Sequence, residues 1–179
     1  MGKDFAKISM AVLLIYFCKF LLIVEEPVEK KAPAYESSSF DFINEKTPPC
    51  IQMQHYIRKY AEEYNVPLNY AFGVANCETS YDGPLDWSYN HAQTSCVGAV
   101  GPMQVMPATA SFVWKEKVSA DKLKNDIRFN VETSMKYVAY LYNRYHDWPT
   151  VFGCYNTGRP MINEYARKVV NFVPKKVNL

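Results

Sequence analysis

The sequence predicts a mainly α-helical chain, with one helical domain behind an N-terminal membrane segment and a linker. Three observations carry this. Apolar residues from Cys50 onward recur at spacings of three and four, the period of a helix face. No run alternates apolar and polar residues as a half-buried strand does. An apolar stretch flanked by lysines opens the chain.

The first segment covers residues 1–24. Lys3 and Lys7 precede "ISMAVLLIYFCKFLLIV", Ile8 to Val24. As a helix this run spans roughly 25 Å, near the thin limit for a bilayer. Lys19 lies inside it and has to snorkel. Two readings fit: a signal anchor that stays in the inner membrane through residues 8–24, or a signal peptide. No small-x-small cleavage site follows Val24, which favours the anchor. Both readings export the remainder to the periplasm or another extracytoplasmic part of the cell envelope. Residues 25–49 are rich in Glu, Lys, Pro and Ser without helical periodicity, the composition of a linker.

The folded domain is expected over residues 50–174. Met53, Tyr56, Ile57, Tyr60, Ala61 and Tyr64 mark one face of a first helix, Cys50 to Asn65. Pro67 suits the first position of a second, which carries Leu68, Ala71, Phe72 and Ala75 and ends near Glu78. Breakers fill "TSYDGPLDWSYNHAQTS". Pro107 opens a short third helix to about Trp114. Asn125 or Asp126 caps the next, whose buried face runs from Ile127 to Tyr145. Pro149 starts another that ends where Gly158 can turn left-handed. A last helix is expected from about Pro160 to Phe172.

Composition excludes some roles. The formal net charge is +2 with cations scattered among acids, so no basic face for nucleic acid is evident. The three histidines, His55, His91 and His146, lack metal-ligand spacing, and no cofactor motif occurs. Of five cysteines, Cys50, Cys77, Cys96 and Cys154 fall in the exported part. They allow three disulfide pairings, or remain buried thiols.

Polar residues interrupt the apolar pattern at three places. Glu78 ends an apolar helix, where the macrodipole disfavours an anion. Gln104 sits in "GAVGPMQVMPATA", Gly98 to Ala110, in which Gly98 and Gly101 can bring backbone close to a ligand. Tyr155 and Asn156 sit beside Gly158. Taken together, "CETSYDGP", "GAVGPMQVMPATA" and "CYNTG" followed by "YARKVV" resemble the soluble lytic transglycosylase domain, a lysozyme-like family related to goose-type lysozyme. The resemblance covers roughly Ile51 to Val170.

That resemblance implies a lysozyme-like fold and a glycan-cleaving site. Glu78 matches the family's catalytic acid. Ser95, Met103, Gln104, Tyr155 and Asn156 match substrate-contacting positions, and Tyr165 is a looser match. The implied reaction cleaves the β-1,4 bond between N-acetylmuramic acid and N-acetylglucosamine in peptidoglycan strands without water. It leaves a 1,6-anhydro sugar and needs no metal or cofactor. The implied settings are wall turnover, secretion or conjugation machines, and phage entry. The interval from Glu78 to Gly98 is longer than the family's, and its Asp82 or Asp86 could be the second acid of a hydrolysing muramidase. A non-catalytic peptidoglycan-binding assembly protein is the remaining alternative. Thr79 replaces the family's serine and Pro102 its leucine. If the helix ends at Cys77 and Cys154 meet, a disulfide there would brace the site.

Overall fold

The computed structural model describes residues 43–174, and the segment 1–24 and most of the 25–49 linker lie outside them. Among the described residues no helix is long and apolar enough to cross a membrane. They form seven helices and no strand, only isolated bridges pairing Thr94 with Val100 and Val100 with Val105.

Helix α1 spans Pro49–Glu63, with Pro in its first turn and Cys50, Met53, Gln54, Ile57, Tyr60 and Ala61 buried along one side. Helix α2, Leu68–Thr79, buries Ala71, Phe72, Val74 and Ala75. Pro67 caps it rather than opening it. Its small residues let another helix approach. A Cβ on Gly73 would lie 2.9 Å from the carbonyl oxygen of Val169. Ser80, left-handed at φ 58°, ends α2.

The segment after α2 is irregular yet anchored. Tyr81 is buried and donates to the Cys50 carbonyl at 2.8 Å. Tyr89 is buried as well and shares a 2.8 Å hydrogen bond with Thr79.

Helix α3, Pro107–Trp114, matches its expected bounds. A short α4, Ala120–Asn125, was not anticipated, because a single buried Leu123 gives no periodicity. It forms because Ser119 accepts the Lys122 N–H at 3.1 Å. Asp126 caps α5, Ile127–Tyr145, by accepting the Phe129 N–H at 2.8 Å. This longest helix packs against α1, α3 and α4 and against α6, Trp148–Thr157, through Val131, Met135 and Val138. Gly158, at φ 73°, ends α6 as its position suggests.

Helix α7 is shorter than expected, Glu164–Val170. Asn163 caps it by accepting the Ala166 N–H at 2.9 Å. The residues before it cross α6 too closely to be helical, since a Cβ on Gly153 would collide with the Met161 carbonyl.

The sequence leaves disulfides and free thiols open for the four exported cysteines, and the structure has thiols. Cys50, Cys77, Cys96 and Cys154 are all free thiols, so no disulfide joins Cys77 to Cys154. Cys50 and Cys154 pack in the core as small apolar residues.

Candidate active site

Glu78 occupies the last turn of α2, where its neighbours fix it. Thr79 is buried and donates to the Pro102 carbonyl at 2.8 Å, so its hydroxyl accepts from Tyr89. The end of α2 is thereby tied to the loop that carries Gln104.

The Glu78 carboxyl is partly buried, and Tyr165 of α7 donates to its Oε1 at 2.6 Å. Burial raises its pKa from 4.5 to about 7, although the Tyr165 hydrogen bond pulls the other way. Desolvation therefore outweighs the stabilising donor. Tyr165 itself is pushed well above its ordinary value, by burial and then by the Glu78 charge, so it remains a proton donor. Tyr155 shifts upward for the same two reasons in the same order. Both phenols therefore sense the Glu78 charge.

Tyr155 has one hydroxyl proton and two partners. It donates to the Met103 carbonyl at 2.8 Å, which leaves Ser134 to donate to the phenol oxygen at 2.8 Å. Helix α6 thus holds the backbone beside Gln104. Gln104, Val105, Met106, Thr109, Ser134, Tyr137 and Tyr155 line one small pocket.

Two parts of the glycine-rich loop differ from expectation. Met103 is fully buried, so its side chain is a core residue and only its backbone faces Tyr155. Gly101 serves packing rather than ligand approach. It has φ 78°, and a Cβ there would lie 2.6 Å from the Leu123 carbonyl and collide with the Asn130 amide. Gln104 is left-handed at φ 47° and donates to the Gly101 carbonyl at 2.9 Å. Part of its amide is therefore spent on holding its own loop.

Asn130 is the residue that sequence reasoning missed. Fully buried on α5, it accepts the Met103 N–H at 2.9 Å and donates to the Val100 and Leu123 carbonyls, each at 2.9 Å. A polar residue between the core positions Ile127 and Val131 was the available signal.

Ser95 and Asn156 spend their side chains elsewhere. Ser95 Oγ accepts the Ala99 N–H at 2.9 Å and staples a turn. Asn156 accepts from Asn163 at 3.0 Å, joining the end of α6 to the cap of α7 and so setting where Tyr165 stands relative to Tyr155. Asp86 accepts from the Ser88 backbone and hydroxyl, at 3.2 and 2.7 Å, and Asp82 is exposed. His91 lines a separate cavity of about 550 Å³ with Gln52, Tyr56, Asp126 and Arg128, well apart in composition from the Glu78 site. No group of three or more His, Cys, Asp or Glu among the described residues is placed to hold a metal ion.

The family model "Transglycosylase SLT domain" matches residues 55–178. The chain belongs to the transglycosylase SLT domain family. The fold of this SLT domain is similar to the 70 kDa soluble lytic transglycosylase of Escherichia coli, with a TM-score of 0.50 and 23% identity. The likeness covers 65% of this chain and 18% of that one, so the chain spans under a fifth of its length. No curated protein matches the chain. The mainly helical fold read from the sequence agrees with both findings, and the family read from it agrees with the family match.

Proposed function

We propose that this SLT domain is a peptidoglycan lytic transglycosylase that uses Glu78 as acid and then as base. The observation that carries this is a partly buried carboxyl at a helix end, held by Tyr165, whose pKa burial raises to about 7. An acid poised near working pH can both give and retrieve a proton.

In the first step protonated Glu78 donates to the glycosidic oxygen between N-acetylmuramic acid and N-acetylglucosamine, and that bond breaks. In the second, the Glu78 carboxylate takes the proton of the muramic C6 hydroxyl as its oxygen bonds to the anomeric carbon of the same sugar. The 1,6-anhydro ring forms and Glu78 is protonated again. An intramolecular nucleophile can act at an effective concentration of ~10⁵ M or more, so no second carboxylate is required to activate water. A hydrolysing muramidase is supported less well, because Asp86 is engaged with Ser88. A binding-only protein has no use for an acid held near neutrality.

Gln104, Tyr155 and Tyr165 are proposed as the groove-side set, with Ser95 and Asn156 shaping it through the turn and the α7 cap they hold and Met103 contributing backbone. The substrate is the glycan strand, and the setting is the cell envelope. The apolar segment 8–24 suits anchoring in the inner membrane, local to a secretion, conjugation or phage machine.

The test is Glu78→Gln on purified sacculi. Clearing is expected to fall by about 10³-fold or more while binding to sacculi persists. Clearing equal to that of the unaltered protein overturns the assignment.

A further inference from the structure

Helices α3 and α5 both contribute to the pocket beside Tyr155. Two side-chain series run out from it at three-residue spacing. Met106, Thr109 and Phe112 lie on or just before α3, and Ser134, Tyr137 and Tyr140 lie on α5. The first two members of each line the pocket. The third members meet edge to face, with ring centroids 5.1 Å apart.

The aromatic rings form a continuous series. Tyr155 and Tyr137 are 5.8 Å apart, and Tyr137 stacks on Tyr140 at 6.3 Å with planes 13° apart. Phe112 completes the series. The inner rings are partly buried, whereas Phe112 is 55% exposed and Tyr140 39%. A Phe more than half in water gains little from the core. Single exposed apolar residues are ordinary, but this pair continues a groove and carries a polar rim, since Arg144 donates to the Tyr140 hydroxyl at 3.5 Å. The C–H faces of pyranoses stack on rings, and their hydroxyl edges suit a phenol tip.

We infer that Phe112 and Tyr140 form a distal saccharide platform that continues the Gln104–Tyr155 groove and takes further pyranoses of a β-1,4-linked N-acetylhexosamine strand. This rests on the glycan-cleaving function proposed above and adds a preference for long strands. The occupant is the same strand because Tyr137 belongs to both the pocket and the outer series.

The test uses the full chain carrying Glu78→Gln, titrated calorimetrically with N-acetylglucosamine oligomers of three and six sugars as probes. The six-sugar probe is expected to bind about tenfold tighter than the three-sugar one, the scale of one or two ring contacts. Adding Phe112→Ala and Tyr140→Ala should remove most of that advantage. Adding Tyr140→Phe alone should keep it, because the ring remains. Phe112→Ala alone, at the more exposed position, should remove part of it. Equal binding of the two probes, no binding of either, or an advantage untouched by the double alanine variant overturns the platform. So does a double variant whose only change is dissociation of an oligomer, which would make the patch a contact between copies. Anhydro products from sacculi digested by the unaltered protein are scored separately, so loss of the platform leaves the Glu78 chemistry standing.

Discussion

Tyr165 and Glu78, 87 residues apart in sequence, meet through a 2.6 Å hydrogen bond in which the phenol donates to the carboxyl. The contact orients the acid and opposes part of its desolvation. It also requires α7 to be docked against α2, which Gly73 permits. Asn156, through Asn163, links that docking to the end of α6.

Tyr165→Phe should therefore shift the pH profile. Removing a donor that favours the charged form lets the Glu78 pKa climb further above about 7. Because the protonated form starts the proposed reaction, the alkaline limb of kcat/KM should move to higher pH. The maximal rate should drop about tenfold, the worth of one hydrogen bond to a charged group. A merely structural Tyr165 would lower the rate and leave the limb in place.

Stability should carry the same signature with a definite sign. Folding raises the Glu78 pKa from 4.5 to about 7, so the folded state binds the proton more tightly. Stability is then lost as pH rises between those values. Glu78→Gln keeps an acceptor for Tyr165 and removes the buried charge. The variant should be more stable than the unaltered protein at pH 8, by up to about 3 kcal/mol, with no such advantage at pH 4. Urea unfolding at the two pH values checks it.

The Asn130 clamp predicts a large effect far from any reacting atom. Asn130→Ala removes the partner of the buried Met103 N–H and the amide bond to the Leu123 carbonyl, while the Val100 carbonyl keeps the Val105 N–H, and should cost about 2–4 kcal/mol in urea unfolding. Gly101→Ala should destabilise by roughly 2 kcal/mol or more, through left-handed strain and collision with the same amide. Either variant should lower activity by loosening the Gln104 loop.

Much of this was legible in the sequence. The period of three and four on Met53–Ile57–Tyr60 and on Val131–Met135–Val138 marks faces that the structure buries. Pro107, Asp126 and Gly158 mark helix ends because φ restriction, an N–H acceptor and left-handed backbone are local needs. The misses were non-local. Met103 reads as a groove residue by motif, yet its side chain points into the core. Gly101 reads as making room for a ligand, whereas the room is taken by Asn130, which lies 29 positions further along. Whether Cys77 and Cys154 pair was open in the sequence, because bonding depends on where two distant helix ends lie, and both are thiols. Helix α4 was invisible because one buried leucine cannot establish a period.

The central claim is that one carboxyl cleaves the strand without consuming water. Sacculi digested in water enriched in heavy oxygen, with the fragments then weighed, test it most directly. The account predicts fragments ending in 1,6-anhydro muramic acid, lighter by one water than reducing ends and free of the heavy isotope. Reducing ends labelled with heavy oxygen would contradict it and assign the chain to hydrolysis.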